Sequence, residues 1–151
     1  MSRHDSRGYS LIELLITLVV IGVIAAISIP NLLAAIDKGK QKRTMADLRT
    51  VGSATEAYAV DNGRYPVAAD APTLAALLAA SSSSFIKVMP QLDGWSHSWI
   101  VDSAATAYTI ASAGKDGAAS GCVVGTQTTQ FHQDICLSHG QFIQHPVGAQ
   151  N

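Results

Sequence analysis

The sequence predicts an α+β protein: a long amino-terminal helix, apolar and membrane-spanning in its first half, packed on a small antiparallel β-sheet head. Three observations support this fold class. No charged residue lies between Glu13 and Asp37. Beyond that stretch, apolar residues recur at helical spacing, and the last third holds short β-prone segments separated by turn residues. We expect four segments, residues 1–8, 9–36, 37–62 and 63–151.

The composition excludes some classes of partner. Ten Lys and Arg against 11 Asp and Glu leave a formal net charge of -1, which does not supply the basic face that nucleic acid requires. We therefore expect no nucleic acid as a main partner. Apolar residues make up 48% of the 151 residues, so the chain is not intrinsically disordered.

Residues 1–8 are predicted to be a leader peptide that is removed. They are short and polar and contain Arg3 and Arg7, which favour the cytoplasmic side of a membrane. Cleavage after the apolar residues, as in a secretory signal peptide, would remove them from the mature protein. Cleavage before them fits the sequence better, and the head is then expected on the opposite side of the membrane.

Residues 14–36, here called the apolar run, are predicted to cross a membrane once. These 23 uncharged residues would form about 35 Å of helix, enough for a hydrocarbon core of about 30 Å. Gly22 has low helix propensity, and Pro30 removes one backbone hydrogen bond. The helix between them is expected to loosen, although glycine and proline are also common in ordinary membrane helices.

Glu13 stands at the edge of the apolar run and needs a partner. A carboxylate carried to the bilayer centre costs about 2.5 to 3.5 kcal/mol, unless the side chain extends to the headgroups. The motif Gly-Tyr-Ser-Leu-Ile-Glu at residues 8–13 resembles the processing site of type IV pilins and pseudopilins. This resemblance changes what Glu13 is expected to do.

The resemblance implies a role for each residue of the motif. A prepilin peptidase would cut after Gly8 and methylate the new amino terminus, Tyr9, which stands where phenylalanine is commoner in the family. Glu13 would then face the ammonium group of a neighbouring subunit. Gly22 and Pro30 match positions that bound the stretch unwound in assembled filaments of this family.

Residues 37–62 are predicted to continue the helix as an amphipathic segment. An Asn-Gly pair at residues 62–63, followed by Pro66, is a stop signal. The whole helix is thus expected to be about 50 residues long. The recurring apolar-face positions are Met45, Leu48, Val51, Thr55 and Tyr58.

A cluster of basic residues, here called the basic collar, follows the apolar run. It consists of Lys38, Lys40, Lys42 and Arg43. The simplest interpretation is a ring of solvated charges at the membrane surface. Specific binding of anionic lipid is the alternative that makes a more definite prediction. Contacts between neighbouring subunits remain a third interpretation.

The remaining chain is predicted to form the head. We expect a short helix at residues 73–80, a flexible break at 81–84, and paired strands at 98–101 and 108–111. Residues 136–137 and 141–143 are expected to form a hairpin about 138–140. Residues 47–66 also resemble the corresponding segment of major pseudopilins of the type II secretion system.

Two aspartates mark a candidate calcium site. A hairpin turn by itself explains the pair Asp116-Gly117. The pattern Asp116-Gly117 followed by Asp134-Ile135 nevertheless resembles the pseudopilin head, whose last loop binds calcium in several members. The resemblance implies that Asp116 and Asp134 are carboxylate ligands of calcium, although this loop is longer than is usual in the family.

Cys122 and Cys136 are the only cysteines, and we predict that they form a disulfide. The expected topology places both on the oxidising side of the membrane. Two free buried thiols are the alternative. The same bridge would hold Asp134 near the loop.

The sequence therefore predicts a structural protein and not an enzyme, because it contains no catalytic constellation. By resemblance, the mature chain is a homopolymer-forming pseudopilin of type II secretion, anchored in the inner membrane with its head in the periplasm. The implied partners are the prepilin peptidase, a membrane platform protein, an assembly ATPase, minor pseudopilins and inner-membrane lipid. The alternatives are a surface type IV pilin for adhesion, motility or DNA uptake, and a monomeric membrane-anchored binding module.

Overall fold

The structure is a computed structural model that describes residues 8–80 and 84–147. Most of the predicted leader, and residues 81–83 of the predicted flexible break, lie outside the described residues. The contacts divide the chain into two compact units, Met1–Ile36 and Asp37–Asn151. The elements are α1 (Leu11–Asn62), α2 (Ala71–Ala80), β1 (Ile100–Ser103), β2 (Tyr108–Ser112), β3 (Thr126–Thr128), β4 (Ile135–Ser138) and β5 (Gln141–Pro146). The predicted α+β class is confirmed.

Helix α1 has 52 residues, close to the predicted length. It ends at Asn62 as expected, because Gly63 takes a left-handed conformation with φ 67° that stops the helix. The helix assignment is continuous through Gly22 and Pro30. The expected loosening between these two residues therefore stays a prediction.

The second half of α1 packs into the core of the head. The predicted apolar face is confirmed in Leu48, Val51 and Thr55, which are buried. Gly52 also faces the sheet, where an added Cβ would lie 2.6 Å from a methyl carbon of Leu137. Tyr58 is half-buried and packs edge-on against Phe85. This face fixes α1 against the sheet of the head.

Helix α2 confirms the predicted short helix and starts two residues earlier than expected. Asp70 caps it, since its Oδ1 accepts a hydrogen bond of 2.7 Å from the backbone N–H of Thr73. That interaction with Thr73 lowers the pKa of the Asp70 carboxyl. Leu74 and Leu78 of α2 are fully buried.

The five strands form one sheet in the order β1-β2-β4-β5-β3. β1 pairs with β2 and β4 with β5, both antiparallel, as predicted, although β1 begins and ends two residues later than the predicted 98–101. β2 also pairs with β4 in an antiparallel arrangement. The predicted β4–β5 turn contains His139 and Gly140, both with positive φ. The predicted hairpins therefore lie side by side in one sheet.

Strand β3 was not predicted. It has only three residues, Thr-Gln-Thr, and pairs with β5 in parallel. So short a polar strand has no apolar alternation by which the sequence could reveal it. Its pairing places β5 between β4 and β3.

Candidate functional site

The apolar run is exposed along its whole length in the single chain. None of residues 8–36 is buried, and α1 is long and apolar enough to cross a membrane. Covering this surface with lipid or protein would contribute about 25 cal/mol for each Å² of apolar area removed from water. The exposed large side chains are Leu14, Leu15, Ile16, Leu18, Val19, Val20, Ile21, Val23, Ile24, Ile27, Ile29, Leu32, Leu33 and Ile36.

Glu13 caps the start of α1. Its Oε2 accepts a hydrogen bond of 3.1 Å from the backbone N–H of Ser10, and the Ser10 carbonyl accepts one from the Glu13 N–H. A carboxylate at this position also complements the positive end of the helix dipole. Sequence reasoning did not identify this capping role. Tyr9, one residue before Ser10, is 79% exposed.

Asp37 is the first buried residue along the described chain, and it marks where α1 joins the head. Its Oδ2 accepts a hydrogen bond of 2.7 Å from Lys115 Nζ, and its Oδ1 accepts one of 3.2 Å from Trp95 Nε1. Burial disfavours the charged carboxylate, but the bonds from Lys115 and Trp95 outweigh burial and lower the pKa of Asp37. Sequence reasoning missed this pair because Lys115 is 78 residues away.

The loop at residues 93–97 holds the head against α1. Gly94 N–H donates to Thr44 Oγ1 on the helix at 2.9 Å. The buried carboxylate of Asp93 organises the loop: it accepts bonds from the backbone N–H groups of Trp95 and His97, both 2.9 Å, and from Ser112 Oγ at 2.6 Å. The end of β2 is thereby tied to the helix.

Asp116 lies in a turn that follows β2. Its Oδ1 accepts a bond of 3.1 Å from Ala118 N–H, and Gly117 has φ 69°, so Asp-Gly does form a turn. The hairpin interpretation is wrong, because the strand that follows the turn is β3, which pairs with β5, while the neighbours of β2 are β1 and β4. Lys115 N–H donates to the Phe131 carbonyl at 2.8 Å, which places the turn against the segment that precedes Asp134.

Asp134 is buried and only partly satisfied. Its Oδ2 accepts bonds of 2.8 Å and 2.9 Å from the N–H groups of Ser120 and Gly121. Its Oδ1 is buried without a hydrogen-bond partner among the described residues. A buried carboxylate oxygen in that state is costly unless a cation or water meets it.

The disulfide between Cys122 and Cys136 is present, so that prediction is confirmed. The disulfide ties the chain segment that contains Cys122 to β4. Gln144 on β5 adds a second tie: its Nε2 donates to the Asp134 carbonyl, and its Oε1 accepts from Val123 N–H. The segment before β4 is therefore held to the sheet at Cys122, at Val123 and at the Asp134 carbonyl.

The donor set around Asp134 fits calcium in its chemistry. Calcium takes six to eight oxygen ligands, and backbone carbonyls commonly supply several of them. Asp134 offers an unpaired buried carboxylate oxygen. Within residues 8–80 and 84–147, no three His, Cys, Asp or Glu side chains form a metal-ligating group. Side chains alone would therefore supply a minority of the ligands.

Two family models match the chain. Residues 31–129 match the model described as type II secretion system (T2SS), protein G, which is more than half of the chain. Residues 3–29 match the prokaryotic N-terminal methylation motif. The two matches together cover most of the predicted leader, the apolar run except Pro30, the second half of α1 and the sheet as far as β3.

Several curated relatives are similar to the chain. A type II secretion system core protein G from Escherichia coli K12 is 31% identical over 121 residues, which are 74% of this chain and 83% of that protein. One from Klebsiella pneumoniae is 31% identical over 59% of this chain and 69% of that protein. One from Klebsiella michiganensis is 35% identical over 44% of this chain and 46% of that protein. No solved structure gives a significant match.

Proposed function

The chain belongs to the type II secretion system protein G family, and from that membership we propose that it polymerises as a structural subunit into the pseudopilus of type II secretion. The family match over residues 31–129 carries this proposal. The exposed apolar run supports it, because such a surface must be covered by lipid before assembly and by other subunits after it. The subunit is structural, and we nominate no catalytic residue.

We propose that maturation removes residues 1–8 and methylates Tyr9. The match of residues 3–29 to the N-terminal methylation motif supports this step. Mass spectrometry of the protein purified from cells with a prepilin peptidase would show the loss of eight residues and the addition of one methyl group. An intact amino terminus in those cells would contradict it and would favour the monomeric binding module.

Glu13 is proposed to set the register between subunits. After cleavage, the ammonium group of Tyr9 on a neighbouring copy would pair with this carboxylate inside a bundle of apolar helices. An unpaired charge in that environment is strongly unfavourable, so a misplaced neighbour would be rejected. The observed bond from Ser10 N–H to Glu13 gives the residue a second role as a helix cap, which an experiment must separate from the first.

Two substitutions separate the charge of Glu13 from its capping role. Glu13→Val removes both, whereas Glu13→Gln keeps a group that can cap the helix but carries no charge. We expect both variants to insert in the membrane and to fail in filament incorporation, measured by sheared-filament yield. The matched control is Asp61→Asn, which neutralises an exposed carboxylate at the other end of α1. Normal filament yield from Glu13→Gln would refute the charge role.

The partners and the topology are proposed from the same membership. We place the amino terminus in the cytoplasm and the head in the periplasm, with the inner membrane around the apolar run. A prepilin peptidase, a membrane platform protein, an assembly ATPase and minor pseudopilins would act on or with the subunit. The disulfide is also compatible with a surface type IV pilin, but the family match favours the secretion pseudopilus.

We further propose that Asp116 and Asp134 hold a calcium ion in the loop of the head. The observation in favour is the buried, unpaired Oδ1 of Asp134. Bound calcium would neutralise that oxygen and hold the turn of Asp116 against the loop. The chain's own contribution is already organised, because the N–H groups of Ser120 and Gly121 fix the other oxygen of Asp134.

Thermal melting of the head with calcium and with a chelator tests the site. We expect calcium to raise the melting temperature, and more so after reduction of Cys122–Cys136, because the disulfide itself stabilises the loop by about 3 kcal/mol. Asp134→Asn should abolish the calcium effect in both redox states. Equal melting temperatures with calcium and chelator in the reduced protein would contradict calcium binding.

A further inference from the structure

The basic collar is exposed on α1. Lys38, Lys40, Lys42 and Arg43 are all exposed. The buried residues of this part of α1 recur at spacings of four, three and four and share one face. Those buried residues are Asp37, Gln41, Thr44 and Leu48. At about 100° per residue, Lys42 and Arg43 lie far from that face, whereas Lys38 and Lys40 flank it.

One acid, Asp37, lies within residues 14–46, and the head binds it. Lys115 Nζ is 2.7 Å from Asp37 Oδ2, while the Asp37 side chain is only 11% exposed. Lys115 reaches Asp37 from the turn that follows β2. The negative charge beside the collar is thus countered from within the head by Lys115, with a smaller contribution from Lys40 of the collar.

Ion pairs within the described residues leave most of the collar's charge available. The two pairs found there are Lys115–Asp37 and Arg43–Asp47. The second spans 3.5 Å between partly exposed groups on one helix, an arrangement that contributes little. Lys38, Lys40 and Lys42 are not in either pair. Three exposed ammonium groups, those of Lys38, Lys40 and Lys42, remain directly after the apolar run.

We propose that the basic collar binds anionic phospholipid headgroups, and that Lys115 makes this possible by cancelling the charge of Asp37. The inference rests on the proposed function, because the collar meets a headgroup layer only if the apolar run is inserted in a membrane. Basic residues next to a membrane segment are attracted to anionic lipid. In this chain the basic collar stands next to an acid, Asp37, whose charge is neutralised by Lys115 of the same molecule.

The full chain in lipid nanodiscs allows a direct test. The discs contain phosphatidylcholine with increasing fractions of phosphatidylglycerol, and a trace of either lipid carries a dansyl headgroup. Energy transfer from Trp95 and Trp99, the two tryptophans, reports which lipid lies near the head. We expect greater transfer to labelled phosphatidylglycerol than to labelled phosphatidylcholine, and we expect added salt to reduce the difference.

Four variants distinguish an effect of the collar on lipid preference from an effect of the net charge of the protein. Lys38→Gln combined with Lys42→Gln should raise the phosphatidylglycerol fraction needed for half-maximal preference by about fivefold or more. Lys87→Gln removes an exposed lysine elsewhere in the head and should change nothing. Lys115→Met should weaken the preference by exposing the charge of Asp37. Adding Asp37→Asn to Lys115→Met should restore it.

The outcomes are distinct. Equal transfer to both lipids in the wild-type protein, or an unchanged preference in Lys115→Met, overturns the collar proposal and leaves the pseudopilus function intact. Transfer to neither lipid means that the apolar run is not inserted, which overturns both. An unchanged lipid preference in the double lysine variant together with reduced filament yield would assign the collar to a second copy of the chain and overturn the lipid proposal.

Discussion

At the scale of single residues, Tyr108 joins the sheet to the helix through one hydroxyl group. That group accepts a hydrogen bond of 2.8 Å from Gly140 N–H and donates one of 3.5 Å to the Gly52 carbonyl on α1. Tyr108 is 1% exposed, and its ring packs edge-on against Tyr65. Burial, together with the nearby carboxylate of Glu56, raises the pKa of Tyr108 well above its usual value of 10.

The raised pKa predicts a loss of stability at alkaline pH. The unfolded chain releases the Tyr108 proton near pH 10 and the folded chain only at higher pH, so stability is complete below pH 10 and falls as pH rises beyond it. Tyr108→Phe should lower the free energy of unfolding at neutral pH by about 1 kcal/mol but make its decline above pH 10 shallower. Urea unfolding across this range measures both, and equal alkaline slopes would contradict the prediction.

Sequence reasoning identified residues with local or family signals. Glu13 and the two cysteines were found in this way, because a charge beside an apolar run and a lone pair of cysteines are visible in the sequence. Asp37 was seen only as the end of the uncharged stretch. Its ion pair with Lys115 and its bond from Trp95 depend on how the turn after β2 and the loop at residues 93–97 fold back on α1. Spacing in the sequence does not reveal this arrangement.

At the scale of elements, the contact between α1 and the loop at residues 93–97 needs a glycine. A Cβ added to Gly94 would overlap the Lys40 carbonyl oxygen and would lie 2.8 Å from Thr44 Oγ1. The Lys40 carbonyl belongs to the backbone of α1 and cannot move without displacing the helix. A residue with a Cβ at position 94 does not fit this contact without a shift of α1.

We therefore predict that Gly94→Ala lowers the free energy of unfolding of the head by about 1 to 3 kcal/mol. The matched control is Gly39→Ala, because a Cβ at Gly39 meets nothing within 4 Å and should stabilise the helix by about 0.5 to 1 kcal/mol. Urea unfolding in detergent, followed by near-ultraviolet circular dichroism, compares the two. If both alanines stabilise the protein, the close contact is not as described.

The elements with strong periodicity were predicted well. The ends of α1 and the strand pairs β1–β2 and β4–β5 followed from apolar spacing and turn residues. The parallel pairing of β3 with β5 did not, because β3 lies in a polar loop and is held by hydrogen bonds to a distant strand. Gln144 on β5 also binds this loop through Val123 N–H and the Asp134 carbonyl, which are 21 and 10 residues away in the sequence.

At the scale of the whole molecule, the hydrophobic core lies entirely in the second unit. Its buried residues begin at Leu48 and include none from the apolar run. The first unit, Met1–Ile36, adds apolar surface that requires a cover. The second unit, Asp37–Asn151, contains all the residues of this core.

A fragment of residues 37–151 should therefore be folded, soluble and monomeric without detergent. Near-ultraviolet circular dichroism should match that of the full chain, and sedimentation should show a single small species. Its Asp37 remains paired with Lys115, since both partners are retained. A fragment that is unfolded, or that needs detergent to stay in solution, would contradict this independence.

The position of β5 between β4 and β3 has a consequence for biogenesis. Both neighbours precede β5 in the chain, so if the head is exported as proposed, the edges of β3 and β4 that face β5 stay unpaired until residues 141–146 arrive. Cys122 and Cys136 have both emerged by then, and an oxidase can join them before the sheet closes. Early formation of the Cys122–Cys136 disulfide can thus bring the two ends of that segment together. The last strand, β5, then has fewer conformations to sample before it pairs between β4 and β3.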